Sequence, residues 1–97
     1  MAAYAVAEIR WDEQQGLDRY LKMVQNALTP FGGRYLAFGP ATVVEGKDAP
    51  THVALVEFPS MADAKRFYES DQYGLPRKIR ALSAKTGWVV FVDGLKI

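Results

Sequence analysis

The first residues alternate between apolar and polar side chains, a pattern that predicts a half-buried β-strand from Tyr4 to Trp11. One side of this strand is entirely apolar and consists of Ala5, Ala7, Ile9 and Trp11. The other side mixes apolar with charged residues and consists of Tyr4, Val6, Glu8 and Arg10. We therefore expect the first side to pack against helices.

A helical spacing of apolar residues follows and predicts a helix, whose apolar stripe consists of Leu17, Tyr20, Leu21, Val24 and Leu28. Asp12 is placed to cap the start of this helix. The helix is expected to end at Pro30 and the pair Gly32-Gly33, because proline cannot donate the next hydrogen bond and glycine accepts a left-handed conformation. We interpret the stripe as part of a hydrophobic core rather than as a cofactor site.

Two more alternating stretches predict a β-hairpin. Its first strand begins near Arg34, bends or bulges at Gly39-Pro40 and resumes from Thr42 to Glu45. Along this strand one face is expected to hold Arg34, Leu36 and Phe38, and the other Tyr35 and Ala37. A turn over residues 46–50 leads into the second strand of the hairpin, from Thr51 to Phe58.

The rest of the chain predicts a second helix, a further helical turn or two, and a last strand. Ser60 is a good N-cap, and the apolar face that follows it consists of Met61, Ala64, Phe67 and Tyr68. The further turns come after Gly74 and Pro76, and the last strand covers residues 88–92. The order strand, helix, strand, strand, helix, strand in a single domain over residues 1–97 predicts an α+β fold, a ferredoxin-like βαββαβ antiparallel sheet with both helices on one face.

The other face of this sheet, which we call the open face, has no helix to cover it. Alternation in the third strand assigns His52, Ala54, Val56 and Phe58 to the helix side and Val53, Leu55 and Glu57 to the open face, which also holds Val6. An open apolar sheet face favours association with a second sheet. A domain of 97 residues buries only roughly 60 to 65% of its unfolded surface, so a subunit interface would add stability. We therefore expect a homodimer that forms through the open face.

Composition and charge exclude several classes of protein. With 12 Lys and Arg against 11 Asp and Glu, the chain lacks the charge excess of a dedicated polyanion binder. It has no cysteine, which excludes disulfides, cysteine-ligated zinc, iron–sulfur clusters and thiolate nucleophiles. The start of the chain lacks the basic region of a secretory signal, and its longest charge-free stretch, Tyr35 to Val44, is far shorter than the ~20 apolar residues that cross a bilayer. We expect a cytoplasmic protein without a membrane partner.

Several segments of the chain resemble one protein family: Gly32-Gly33-Arg34-Tyr35-Leu36, Glu45-Gly46, Val56-Glu57-Phe58-Pro59-Ser60, and Ala64 with Phe67-Tyr68-Glu69-Ser70 and Tyr73. They resemble the family catalogued as domain of unknown function 1330, and the likeness covers nearly the whole chain. That family is similar to the dimeric α+β barrels, in which two ferredoxin-like sheets pack face to face about a twofold axis. The resemblance implies that the open face is a dimer interface.

The same resemblance implies a range of activities rather than one reaction. Related dimeric α+β barrel proteins include cofactor-free monooxygenases, isomerases and dehalogenating or decarboxylating enzymes that act on small organic substrates. Other members have no known activity. A function therefore has to be argued from the site and not from the fold.

Glu57 is a candidate catalytic base, because it lies at the end of a central strand and carries a carboxylate. The alternative interpretation is an ion pair with an arginine, since buried carboxylates are usually paired. We favour the ion pair, for which the neighbouring strand offers Arg10. Tyr4 lies on the same neighbouring strand and is a candidate ligand-binding residue.

His52, Arg34, Tyr35 and Tyr68 are the other candidate site residues. His52 is a candidate for proton transfer, although a lone imidazole on a strand is usually structural. Arg34 has a planar fork that suits a carboxylate or phosphate ligand, or a glutamate across the hairpin. Tyr35 and Tyr68 suit the lining of a ligand pocket, or they complete the core.

Neither a metal nor a nucleotide cofactor is predicted. His52 is the only histidine, so one chain cannot supply a multi-histidine metal site. The glycines at positions 32, 33 and 39 lack the spacing of a dinucleotide loop. They also precede a strand, whereas that motif has to open a helix.

Basic residues cluster after residue 74 and include Arg77, Lys78, Arg80 and Lys85. A basic patch beside a ferredoxin-like sheet is typical of RNA-recognition modules. Base stacking in such modules needs aromatic residues on the open face, where this sequence places Val53 and Leu55. We therefore expect no nucleic-acid partner, and RNA binding is a remote alternative.

Two functions are open at this point. The first is a homodimeric enzyme without metal or nucleotide that acts on a small organic substrate in a pocket between sheet and helices. In it, Glu57 or His52 would transfer a proton, and Arg34 with a tyrosine would orient the substrate. The second is a non-catalytic dimer that binds a small ligand or has a structural role. A pocket in which Glu57, Arg34 and Tyr68 converge favours the first, and a filled interior favours the second.

Overall fold

A computed structural model describes residues 1–11, 14–47 and 52–95 of the chain, with the backbone alone described at residues 14, 15 and 81–87. Its elements are β1 (Ala3–Trp11), α1 (Gln14–Leu28), β2 (Arg34–Pro40), β3 (His52–Phe58), α2 (Met61–Glu69), α3 (Asp71–Ser83) and β4 (Ala84–Asp93). A short 3-10 turn over Thr29–Phe31 follows α1. Asp12 and residues 48–51, which include the predicted cap of α1 and part of the predicted turn, lie outside the described residues.

The four strands form one antiparallel sheet in the order β2-β3-β1-β4, with the helices on one face. This is the ferredoxin-like arrangement, so the α+β fold class predicted from the sequence is confirmed. Because β1 and β3 lie at the centre of the sheet, their alternation decides which residues enter the core. The buried residues on their helix side agree with the predicted faces and are Ala3, Ile9, Trp11, Ala54, Val56 and Phe58.

A bulge in β2 changes the faces predicted for that strand. Its register against β3 shifts between Tyr35 and Ala37, so the pairing skips Leu36. Because the bulge adds one residue, Phe38 lies on the same side as Tyr35 instead of opposite to it. The predicted grouping of Phe38 with Arg34 was therefore wrong. The rings of Phe38 and Tyr35 pack edge to face, with 6.1 Å between their centroids.

The end of β2 also differs from the prediction. The strand ends at Pro40, and residues 41–47 form no strand. The predicted resumption from Thr42 to Glu45 was therefore wrong. Proline has no N–H to continue a ladder, which is why it is usually confined to strand ends and edges.

The last strand is longer than the apolar pattern predicted. β4 begins at Ala84, not at Trp88, because it pairs with β1 as far as Trp11. The register between the two strands skips Gly87, which lies between the partners of Glu8 and Ile9. A bulge therefore carries the strand past the glycine that was expected to precede it.

Two serines cap the helices of the second half of the chain. Ser60 Oγ accepts a hydrogen bond from the N–H of Asp63 at 3.1 Å, which confirms the predicted cap of α2. Ser70 Oγ accepts one from the N–H of Tyr73 at 3.3 Å, so α3 begins at the next residue and continues through Pro76. The prediction that further helical turns start only after Pro76 was therefore wrong. None of the described helices combines the length and the apolar character needed to cross a membrane.

The predicted end of α1 is confirmed at its glycine pair. Gly32 has a left-handed φ of 71°, and its N–H donates to the carbonyl oxygen of Thr29 at 3.1 Å. Gly33 is buried, and a Cβ on it would lie 2.7 Å from Leu28 Cδ2 and 2.8 Å from Phe58 Cε1. The backbone at Gly33 therefore approaches the core too closely to carry a side chain.

We expect Gly33→Ala to lower the free energy of unfolding by about 1–3 kcal/mol, because the added methyl group overlaps two packed core side chains. Gly74→Ala is the matched control, since a Cβ on Gly74 meets no atom within 4 Å and alanine favours a helix. The control should be at least as stable as the wild type. Urea denaturation measures both variants, and a Gly33→Ala protein as stable as the wild type would contradict the close packing.

Candidate functional site

A cavity of about 50 Å³ lies between the sheet and the helices. Small side chains at the centre of the sheet form its floor, where Ala7 of β1 pairs with Ala54 of β3. Larger residues at these positions would fill the space under the helices, so the alanines open the cavity. The polar side chains of its walls are Tyr20, Tyr35, Tyr68, Tyr73 and Arg80, and the rest of the lining is apolar.

Two buried tyrosines bring their hydroxyl groups together at this cavity. Tyr20 Oη and Tyr73 Oη lie 3.3 Å apart and share a hydrogen bond between α1 and α3. Only one proton lies between the two oxygens, so the hydroxyl that accepts keeps its own proton to donate elsewhere. Aromatic contacts hold both rings, with 5.1 Å between the centroids of Tyr20 and Trp11 and 4.5 Å between those of Tyr73 and Phe67. The pair is therefore a positioned hydrogen-bond donor.

Burial keeps two of these tyrosines protonated. Burial raises the pKa of Tyr20 far above its usual range, and the neighbouring Tyr73 raises it further. Burial, and then the neighbouring Tyr73, also raises the pKa of Tyr35. The positive charge of Arg80 lowers the pKa of Tyr20, but by less than burial and Tyr73 raise it. These hydroxyls are therefore neutral at physiological pH, and they donate hydrogen bonds instead of abstracting protons.

Arg80 lines the same cavity, with only 8% of its surface exposed. It comes from α3, two helical turns after Tyr73, so the two side chains share one helix face. In the part of the chain that the structure describes, no carboxylate forms an ion pair with it. This burial corrects the predicted basic patch, because Arg80 does not join Arg77 and Lys78 on the surface.

Arg34 and Glu57 form an ion pair on the open face. Arg34 donates to Glu57 Oε1 from Nε at 3.0 Å and from Nη2 at 2.9 Å. The two residues pair across β2 and β3, and Glu57 lies opposite Tyr4 of β1. An ion pair was the interpretation favoured for Glu57 from the sequence, and a glutamate across the hairpin was the alternative given there for Arg34, which agrees with this pair. Arg10, which the neighbouring strand offered, instead places its Nη2 3.7 Å from Glu8 Oε1.

The predicted site residues do not converge in one pocket. Tyr68 lines the cavity from α2, whereas Glu57 and Arg34 lie on the opposite side of the sheet. The convergence of these three residues, which would have favoured an enzyme, is therefore not found, because alternate residues of a strand point to opposite faces. The ring of His52 stacks on Phe38 with 5.5 Å between centroids, and His52 does not line the cavity. Within residues 1–11, 14–47 and 52–95, no group of three or more His, Cys, Asp or Glu is placed to hold a metal ion.

Three polar residues of the cavity are not among the candidates found from the sequence: Tyr20, Tyr73 and Arg80. In the sequence Tyr20 fits the apolar stripe of α1, and Arg80 fits a basic patch. The signal that identifies Arg80 is its spacing, seven residues after Tyr73 and on the face of α3 that also buries Pro76. This spacing becomes visible only once α3 is known to begin at Asp71.

A family model described as a domain of unknown function (DUF1330) matches residues 2–95 of the chain. The match agrees with the resemblance carried by the glycine pair and by the segment Glu57-Phe58-Pro59-Ser60. No curated protein matches the chain.

Solved structures share the fold at low sequence identity. A hydroxynitrile lyase from Passiflora edulis is 17% identical with a TM-score of 0.73, and the match covers 99% of this chain and 95% of the lyase. SnoaB, a cofactor-independent oxygenase from Streptomyces nogalater, is 5% identical with a TM-score of 0.71 over 99% of this chain and 95% of SnoaB. A dimeric ferredoxin-like protein of unknown function from Thermobifida fusca is 14% identical with a TM-score of 0.65 over 95% of this chain and 88% of that protein. At these identities the likeness shows the fold alone.

Proposed function

Since the chain belongs to the DUF1330 family, whose function is unknown, we propose a function from its own residues. The proposal is a homodimeric, cofactor-free enzyme that acts on a small organic molecule held in the cavity. The observation that carries it is the hydrogen-bonded pair of Tyr20 and Tyr73 in a cavity with mostly apolar walls. A concave apolar site with a few convergent polar groups is the usual form of a small-molecule site.

The chemistry that these residues support is stabilisation of an oxygen atom that gains negative charge. A neutral tyrosine hydroxyl donates a hydrogen bond to a carbonyl oxygen, and this bond strengthens as the oxygen becomes an anion. Apolar walls exclude water and strengthen it further. Tyr35 and Tyr68, the ligand-binding candidates from the sequence, line the same cavity and are proposed to contact the bound molecule.

The remaining candidates from the sequence do not line the cavity and are not part of the proposed chemistry. The catalytic roles predicted for Glu57 and His52 stay predictions, and neither side chain lines the cavity. In the described part of the chain, no residue that lines the cavity carries a carboxylate or an imidazole, so the proposed chemistry does not rest on proton abstraction by such a base. We assign Arg34 and Glu57 to the open face, where their ion pair and the neighbouring Tyr4 would flank a subunit interface.

The proposed dimer forms when a second copy of the chain covers the open face. The register aligns Ala37, Leu55, Val6 and Val90 in one row across all four strands. On the edge strand β4, Val90 is 43% exposed. Burying this row against the same row of a second copy removes apolar surface from water. The ferredoxin-like protein from Thermobifida fusca, which has the same fold, is dimeric, and this supports a dimer of the present chain. A cytoplasmic location stays an expectation from the sequence.

We expect Tyr73→Phe to lower the turnover of a consumed molecule by about 100-fold, because the change removes a hydroxyl that stabilises the developing oxyanion. A panel of small ketones, cyanohydrins, phenols and carboxylates is incubated with the protein in air, and proton NMR follows consumption. Tyr4→Phe is the matched control, since it removes the same group on the open face. An equal loss in both variants would contradict the assignment of the site to the cavity.

The same panel separates catalysis from binding. Trp11 contacts Tyr20, and the chain has two tryptophans, so a Trp88→Phe background leaves Trp11 as the fluorescent reporter of the cavity. A molecule that changes this fluorescence and is then consumed supports the enzyme. A molecule that binds and is recovered unchanged supports the non-catalytic binding dimer instead. A panel in which no molecule changes the fluorescence or is consumed contradicts both.

A further inference from the structure

We infer that Arg80 makes the cavity an anion-binding site, and that its ligand is a short monocarboxylate with an apolar body. The carboxylate would bind the guanidinium, and the apolar body would lie over Ala7 and Ala54 on the floor of the cavity. The inference rests on the proposed function and narrows its substrate class from small organic molecules to small anions.

The burial of Arg80 is the evidence for negative charge in the ligand. An arginine side chain stays protonated in proteins, and burying a charge is costly unless an opposite charge or hydrogen bonds compensate. Arg80 is more than nine-tenths buried, and none of the described carboxylates pairs with it. Among the described residues, none that lines the cavity is acidic. A ligand carboxylate would supply the opposite charge.

Two other arginines show how this chain otherwise places such a group. Arg34 pairs with Glu57 on the open face. Arg77 lies one helical turn before Arg80, and its guanidinium is 5.4 Å from the centroid of the Tyr68 ring. Arg77 Nη1 also donates to the carbonyl oxygen of Tyr68 at 3.3 Å. Among the described residues, Arg80 pairs neither with a carboxylate, as Arg34 does, nor with an aromatic ring and a carbonyl oxygen, as Arg77 does. It lines a cavity that can admit a ligand.

The cavity limits the size and the number of charges of the ligand. A volume of about 50 Å³ holds roughly four water molecules, at ~10–15 Å³ for each. A monocarboxylate of about four to six heavy atoms is of this size. A second negative charge would face apolar walls, which is unfavourable. The planar guanidinium matches both carboxylate oxygens, and the hydrogen-bonded hydroxyls of Tyr20 and Tyr73, which line the same cavity, can donate to the same group.

Calorimetric titration of the full chain with propionate and butyrate tests the inference. Propionamide has nearly the same shape without the negative charge, and we expect it to bind at least about tenfold more weakly. Hexanoate is expected to bind more weakly than butyrate, because its longer apolar body exceeds the cavity volume of about 50 Å³. Carboxylates that bind independently of chain length would indicate a surface site and overturn the inference.

We expect Arg80→Gln to weaken propionate binding by roughly 10- to 100-fold, and Arg80→Lys, which keeps the charge without the planar fork, by less. Lys78→Gln is the matched control, because it removes one positive charge from an exposed position of the same helix. In the wild type, the NMR signal of Arg80 Nε–H, assigned by its absence in Arg80→Lys, is expected to shift on addition of propionate. The shift is measured in the wild-type protein, and the conservative Arg80→Lys variant serves only for the assignment.

The outcomes separate this inference from the proposed function. If propionamide binds as tightly as propionate, the cavity is a small-molecule site but the anionic class is wrong. If propionate does not bind while a neutral molecule is consumed, the inference fails and the proposed function stands. If propionate binding falls in Lys78→Gln but not in Arg80→Gln, the anion binds on the surface and Arg80 has no such role.

Discussion

Leu55→Glu is expected to convert the proposed dimer into monomers of 10.8 kDa. Leu55 lies in the middle of the open face, between Ala37 of β2 and Val6 of β1. In the dimer the new carboxylate would be buried among apolar side chains of both copies, at a cost of about 3–5 kcal/mol. Because each copy carries the change, the dissociation constant should rise by more than about 1,000-fold. Sedimentation velocity at micromolar concentrations measures the change in mass.

Leu75→Glu is the control for this experiment. Leu75 is exposed on α3, in the helix layer, so the same substitution adds the same charge away from the open face. This variant should sediment as the wild type does. A wild-type protein that sediments as a folded 10.8 kDa particle at high micromolar concentration would overturn the proposed dimer. Equal dissociation of the two variants would place the interface elsewhere.

Phe58→Ala is expected to lower the free energy of unfolding by about 3–5 kcal/mol. Phe58 ends β3 and is 1% exposed, and its ring packs against Phe67 with 5.5 Å between centroids. Removing the ring deletes its transfer free energy and enlarges a cavity that is already present beside it. Domains of this size have a total stability of about 5–15 kcal/mol, so much of it would be lost. Urea denaturation at one fixed protein concentration measures it, since the stability of a dimer depends on concentration.

Phe38→Ala removes the same ring at a half-buried position of β2. Its expected loss of stability is smaller, because fewer contacts disappear and solvent already reaches the site. A loss at Phe38 as large as that at Phe58 would mean that the core is centred at a different place in the sheet. A small loss at Phe58 would mean that the helices close over the vacated space.

The faces of the two central strands could be predicted from the sequence because the two faces of each strand differ in composition. Along β1 and β3, alternate residues face the helices and most of them are apolar and buried, so a shift by one residue would expose the whole set. The caps at Ser60 and at the glycine pair could be predicted for a similar reason, since each acts within a few residues of chain.

The faces of β2 could not be predicted in the same way. Its residues are apolar on both sides, so their alternation does not reveal the bulge at Leu36. The start of α3 was missed because Pro76 is a strong local signal against a helix, whereas the Ser70 cap that overrides it depends on one hydrogen bond. In both cases a local pattern was ambiguous, and pairing or capping decided the outcome.

The sequence by itself determined the order of the elements, the composition of the core and the apolar character of the open face. These properties depend on periodicity, which is a property of neighbouring residues. Only the tertiary structure decided that Ala7 and Ala54 face each other under the helices and that Tyr20, Tyr73 and Arg80 meet above them. It also separated Glu57 and Arg34 from that site by the thickness of the sheet. The physical reason is that a site depends on strand register and helix position, and both are set by contacts between residues far apart in the chain.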